Sequence, residues 1–205
     1  MGKVDLKKTL DIYKAHHHKF RIVEVLPIQY LMIDGHGDPN TSKEFADAIS
    51  TLYPVAYKIK FDSKKNLDND YAVMPLEALW WADDMSTFTT TRDKSKWSFT
   101  LMIMQPDWIT KNMFESALEK LNDKIPSVQL QKIRFERLDE GHSVQTLHIG
   151  SFDEESAILQ ELHTTYIPEN GLQMSGRHHE IYFSDFRKVP ADKLRTLLRQ
   201  PVNRV

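Results

Sequence analysis

The chain has no cysteine. Disulfide staples, thiolate nucleophiles and thiolate metal sites are therefore excluded. Glycine is scarce, 7 among 205 residues. Gly35 and Gly37 lack a third glycine at the place a dinucleotide fingerprint needs, so Gly35-His-Gly37-Asp-Pro-Asn40 reads as a turn. There is no phosphate loop, no Gly-x-Ser-x-Gly elbow and no His-Glu-x-x-His, which argues against serine-nucleophile chemistry and standard zinc hydrolysis. Neither charge sign is in excess, with 27 basic against 29 acidic residues. Nucleic acid and anionic membranes need clustered positive charge, so neither is expected as a partner. No apolar run is long enough to span a bilayer, and none at the N-terminus resembles a signal peptide. These absences leave a soluble, cytoplasmic, single-domain protein over residues 1–205, long enough to bury a core without staples. No cofactor is called for.

What the chain does have is one carboxylate in an otherwise apolar and aromatic stretch, Tyr71-Ala-Val-Met-Pro-Leu-Glu-Ala-Leu-Trp-Trp81. A buried carboxylate is costly unless it is paired, protonated or used on a ligand. A second stretch of the same character, His178-His-Glu180-Ile-Tyr-Phe183, comes late in the chain. Glu77 and Glu180 are thus expected to form two walls of one site. The alternative is that each pairs inside a core. His178 and His179 are neighbours on one strand and point to opposite faces, so they cannot both ligate a metal, and none is expected. His16-His17-His18 reads as a solvated helix end, because no carboxylate or further histidine lies nearby at ligand spacing.

Along the chain, Leu6, Leu10 and Tyr13 predict a short amphipathic helix within Val4–His18. Phe20–Val25 and Ile28–Asp34 read as strands. Thr41-x-x-Glu44 looks like a capping box for a helix bearing Phe45, Ile49, Leu52 and Tyr53, which Pro54 bends or ends. Lys58–Asp70 reads as a surface connection and Tyr71–Trp81 as a strand. Within that strand, alternation puts Glu77 and Trp81 on one face and Trp80 on the other. Asp83–Lys96 is a polar loop and Trp97–Met104 a strand. Thr110 caps a helix, and Gln131–Leu138 pairs with Ser143–Ile149 as a hairpin. Ser151-x-x-Glu154 is a second capping box, opening a helix with Ile158, Leu159, Leu162 and Tyr166 inward. His178–Ser184 is a strand, and Leu194–Val202 suits helix or strand. The order of strand, capped helix, Tyr-Pro, loop and Glu-bearing strand occurs twice, which predicts two modules over about 20–105 and 130–205 related by a pseudo-twofold, with a cleft between them.

The Glu77-Ala-Leu-Trp-Trp81 segment, the paired halves, and the closing His-Glu-Ile-Tyr-Phe-Ser-Asp with Leu-Arg-Thr-Leu-Leu-Arg-Gln-Pro-Val resemble the GyrI-like small-molecule-binding proteins, stand-alone relatives of the effector-binding domains of multidrug-responsive regulators. The resemblance implies an α+β fold of duplicated strand-helix-strand-strand (SHS2) modules. Antiparallel sheets would carry helices on one side and enclose a central ligand cleft, and the last segment would be a strand. It places a cleft glutamate at Glu180 and, by the pseudo-symmetry, at Glu77. Part of the family resembles hydrolases that detoxify DNA-alkylating cyclopropanoid compounds by adding water to the strained ring. Glu77 and Glu180 would then be catalytic, orienting or deprotonating water, and Tyr71, Trp80, Trp81, Trp97, Tyr166 and Tyr182 are the expected ligand walls. A non-catalytic drug binder with the same pocket is the alternative, and an inhibitor of a partner topoisomerase is a third reading.

Overall fold

The computed structural model describes residues 2–84 and 93–205. The part of the expected Asp83–Lys96 loop at 85–92 lies outside the described residues. The strands are β1 (Arg21–Val25), β2 (Ile28–His36), β3 (Leu76–Trp81), β4 (Ser98–Met104), β5 (Arg134–Leu138), β6 (Gly141–Ile149), β7 (Leu172–Met174), β8 (His178–Tyr182) and β9 (Arg195–Arg204). They pair antiparallel in the order β1-β6-β9-β8-β3-β4-β2-β5, and β7 adds to β9. The final segment is therefore a strand, buried from Thr196 to Val202. The helices are α1 (Leu6–Thr9), α2 (Lys43–Leu67), α3 (Lys111–Leu121), α4 (Ser127–Leu130), α5 (Glu155–Glu161) and α6 (Ile167–Glu169). The fold class is α+β, as the resemblance implied.

Register assigns the faces. Ile33, Leu101, Ala78, Glu180, Leu198 and Thr146 are successive partners across six strands, so their side chains share one face of the pleat. Met32, Met102, Glu77, Ile181, Leu197 and Leu147 share the other. Helices cover the first face at two places. The α2 side chain Phe45 packs on Trp80 and Phe99 at ring separations of 6.0 and 5.2 Å. Leu162 and Ile167, from the turns at and after the end of α5, pack with Val144, Leu172 and Val202.

The sheet also curls. β5 and β6 lie near opposite ends of the strand order, yet only Asp139 and Glu140 join them. Leu138 and Gly141 are then no more than about 11 Å apart along the chain. The expected β5–β6 hairpin does not form: β5 pairs with β2, and β6 with β1 and β9. Instead the turn residue Glu140 reaches into the curl, on the face that carries Glu77.

Several helix expectations need correction. Val4–His18 is not one helix but α1 followed by a 3-10 turn at Asp11–Tyr13, so the three histidines cap no helix. The cap of α2 is Ser42, whose hydroxyl accepts from the Phe45 amide; Glu44 accepts from the His36 amide instead. Pro54 does not end α2, and Lys58–Asp70 is not a connection, because the helix runs to Leu67. Its inward stripe continues through Val55, Ala56, Ile59 and Ser63, and burial of that stripe outweighs the one bond a proline removes. Of the charges in the run, Lys64 and Lys65 are exposed, Lys58 and Asp62 pair at 2.7 Å, and Lys60 is buried in a 3.0 Å pair with Asp70. The Tyr71–Trp81 strand is only Leu76–Trp81, beginning after Pro75, which has no amide to donate. The caps at Thr110 and Ser151 form as expected.

Candidate functional site

Glu77 and Glu180 sit on adjacent, directly paired strands. Glu180 faces Ala78, and Glu77 faces Ile181. One residue of offset in a pleat reverses the face, so the two carboxylates lie on opposite sides of the sheet and share no cavity. This corrects the expectation of a common site.

On its own side Glu77 is fully buried and paired. It accepts a 2.7 Å hydrogen bond from the Tyr13 hydroxyl, and its Oε2 lies 3.0 Å from His179 Nε2 in an ionic contact. His179 Nδ1 is 2.9 Å from Glu140, and Glu140 accepts a 2.9 Å bond from Arg199. Arg199 also donates to Gln145 and to the Ile12 carbonyl, at 3.1 and 2.7 Å. Two carboxylates thus balance two cations in the interior of the curl. His179 is raised to about 9: burial opposes the charge, and Glu140 and Glu77 outweigh it. Glu140 falls to about 2, as His179 and Arg199 overcome its burial. The network ties the segment around Ile12 and Tyr13 to the sheet, with its charged side chains buried.

The cavity is on the other face, between α2 and α5. It measures about 150 Å³. β3 and β8 supply Trp80, His178, Glu180 and Tyr182. Phe45 comes from α2, Phe186 from the loop after β8, and Trp97 with Lys94 from the approach to β4. Phe152, Glu155, Ser156 and Leu159 fall at i, i+3, i+4 and i+7 of the turn that the Ser151 capping box starts, so one helical face points inward.

The polar groups within it are ordered. Tyr182 donates a 2.7 Å bond to Glu180 and accepts a 3.0 Å bond from Trp80 Nε1. Burial first, and then the charge of Glu180, holds the Tyr182 hydroxyl well above its ordinary 10.0, so it stays a donor. His178 Nε2 lies 3.6 Å from Glu180 Oε1, and neither ring nitrogen of His178 has a hydrogen-bond partner among the described residues. Glu155 faces the same space, 4% exposed, with Oε1 also lacking a partner among the described residues. Burial first, and then Glu180, pushes the Glu155 carboxyl well above its ordinary 4.5. The arrangement offers a carboxylate able to polarise water, a second carboxyl able to hold a proton, and flat aromatic walls.

Of the expected residues, the structure brings Glu180, Trp80, Trp97 and Tyr182 together. Tyr71 is elsewhere, buried against Trp108 with its hydroxyl 3.2 Å from Gln105. Trp81 shares the face of Glu77 and carries the Arg177 guanidinium 3.5 Å from its ring centre. Tyr166 packs on Phe20 in the second cluster. The lining residues not anticipated include Phe45, Phe152, Phe186, His178 and Glu155. Glu155 was legible: it precedes the inward Ile158 and Leu159 by three and four residues, which puts it on the buried face.

These features match known proteins. The model of the GyrI-like small molecule binding domain matches residues 18–203. An uncharacterized conserved protein from Listeria innocua superposes with a TM-score of 0.88 at 36% identity, covering 98% of this chain and 100% of its own. A hydrolase from Listeria innocua gives a TM-score of 0.84 at 35% identity with the same coverage. A further hydrolase structure from that organism gives 0.86 at 34% identity, again over 98% of this chain and 100% of its own. No functionally curated protein matches. Among the described residues no helix is long and apolar enough to cross a membrane. By the match to its domain model and the likeness of these structures over nearly its whole length, the chain belongs to the GyrI-like small-molecule-binding family.

Proposed function

We propose that the cavity between α2 and α5 binds hydrophobic, aromatic small molecules, and that Glu180 directs water onto a strained ring of the bound molecule. The substrate class is the reactive cyclopropanoid compounds that alkylate DNA, and the role is detoxification. The observation that carries this reading is the Glu180 carboxylate, held at 2.7 Å by Tyr182 in a pocket walled by Trp80, Trp97 and Phe152. Aromatic walls orient a flat ligand, and a positioned carboxylate takes a proton from water at a contribution of about 100-fold or more in rate. The hydrolase relatives at 34–35% identity support a hydrolytic reaction.

A cavity of about 150 Å³ holds a single-ring portion of a ligand, not a polycycle. Phe186 also lines an adjoining groove formed by Tyr53, Tyr57 and Arg187, so the rest of a larger molecule would lie past Phe186 along α2.

The test is incubation of a cyclopropanoid with wild type and with Glu180→Gln, following ring opening by mass. Turnover by wild type that drops about 100-fold in the variant supports the reading. If wild type binds the compound and leaves its ring intact, the protein is a sequestering binder instead. That second reading has its own support in the two carboxyls among aromatic rings, a setting that attracts lipophilic cations.

A further inference from the structure

Glu155 is a buried carboxyl that shares a hydrogen bond with Thr196 of β9 and leaves its Oε1 free to face the cavity. Acidic residues favour a helix start through the macrodipole, but here that part is taken by Asp153 and Glu154, and Glu154 closes the capping box on Ser151 at 2.8 Å. Glu155 instead turns inward. It is 4% exposed, and Oε1 has no partner among the described residues. It lines the same cavity as Glu180. A buried carboxylate with one oxygen unsatisfied is costly, and a second carboxylate beside it raises the cost. Two carboxyls facing one cavity are stable when one of them carries a proton.

We propose that Glu155 is the catalytic acid of the water-adding reaction, delivering a proton to the substrate as Glu180 takes one from water. The inference deepens the hydrolase reading and rests on it. Water attacks one carbon of the three-membered ring, and its oxygen bonds to that carbon. The carbon–carbon bond breaks, and its electron pair passes to the other carbon or to an acceptor atom conjugated with it. Glu180 removes one proton from the attacking water, and the Glu155 proton neutralises the atom that received the pair. The sum is addition of one water. Glu180 ends protonated and Glu155 ionised, and transfer of a proton from Glu180 back to Glu155 through the cavity restores both. No oxidant or further reactant is needed.

The surroundings suit the assignment. Glu180, His178 and Tyr182 of β8 face Glu155. Lys94 approaches from the turn before β4, Asp153 lies on its own helical turn, and Thr196 of β9 provides a hydroxyl. Lys94 is drawn off by Asp153 at 3.4 Å and by the Trp97 ring at 5.8 Å, so this cation has other partners.

The experiment compares wild type, Glu155→Gln and Glu180→Gln on a cyclopropanoid substrate, measuring kcat and KM from acid to alkaline pH. Tryptophan quenching by the same compound reports that each variant folds and binds. The wild-type profile should be bell-shaped. Glu155→Gln should lower kcat about 100-fold with KM little changed and lose the alkaline limb; Glu180→Gln should lose the acid limb. The infrared band of a protonated buried carboxyl, present in wild type at neutral pH, should vanish in Glu155→Gln. Wild-type turnover with an unaltered Glu155→Gln profile overturns the role of Glu155 and leaves the hydrolase reading standing. A wild type that binds but does not turn over overturns both.

Discussion

Removing Glu77 separates a structural carboxylate from a functional one. Glu77 and Glu140 balance His179 and Arg199 in the curl of the sheet, and all four side chains are buried. Glu77→Leu leaves an excess positive charge there and strips the Tyr13 hydroxyl of its acceptor. Breaking a buried ion pair from one side costs about 3–5 kcal/mol, a large part of the 5–15 kcal/mol that holds a typical domain folded. Glu77→Gln keeps an acceptor for Tyr13 and should cost less. The pH dependence carries the sign. His179 sits at about 9 in the folded chain against an ordinary 6.5, so its contribution is full below 6.5 and is lost as pH rises through 9. A difference of about 2.5 corresponds to about 3 kcal/mol, shared among the bonds of the network rather than added to them. Without Glu77 the folded His179 should titrate at lower pH, so the alkaline loss begins earlier. Urea unfolding of both variants and wild type from neutral to alkaline pH measures this. A Glu77→Leu protein within about 1 kcal/mol of wild type, with the same alkaline profile, would refute the network as described.

The acid side gives a further expectation. Glu140 lies at about 2 against an ordinary 4.5, so its stabilisation is present above 4.5 and is lost as pH falls through 2; Glu140→Gln should flatten that part of the stability curve in urea titrations. Trp80→Ala should weaken binding of an aromatic ligand by about tenfold, through lost wall area and the freed Tyr182 hydroxyl, whereas Trp81→Ala should leave affinity unchanged; calorimetric titration separates them. Phe186→Ala should quicken entry of polycyclic ligands in stopped-flow quenching, since Phe186 lines both the inner cavity and the outer groove. Gly35→Ala should destabilise by about 1–3 kcal/mol in thermal melts, because its Cβ would fall 2.3 Å from the Phe99 ring.

Much of this architecture was legible in the residues. Period and caps place α3, α5 and most strands, because Thr110 and Ser151 carry their own hydrogen-bonding chemistry. The misplaced features depend on contacts between distant segments. Alternation within β3 correctly sets Glu77 apart from Trp80, and alternation within β8 groups Glu180 with Tyr182. Neither strand encodes which residue of the other stands opposite it, and the pairing of Ala78 with Glu180 decides that the two glutamates part. Asp139-Glu-Gly141 has the composition of a hairpin turn, but Glu140 is drawn to His179 and Arg199, so the turn bridges the curl instead. The partial likeness of the two Glu-bearing stretches suggested equivalent roles, which burial with different partners removed: Glu77 meets cations, and Glu180 meets a phenol, a neighbouring carboxyl and open space.

The central claim is that Glu180 in the aromatic cavity adds water to a strained ring. Isotope labelling tests it most directly. A cyclopropanoid incubated with wild type in oxygen-18 water should yield a ring-opened product carrying one labelled hydroxyl, formed about 100-fold faster than with Glu180→Gln and at an undiminished rate with folded Glu77→Gln. Recovery of the bound compound intact and unlabelled, or equal labelling rates in wild type and Glu180→Gln, would contradict it.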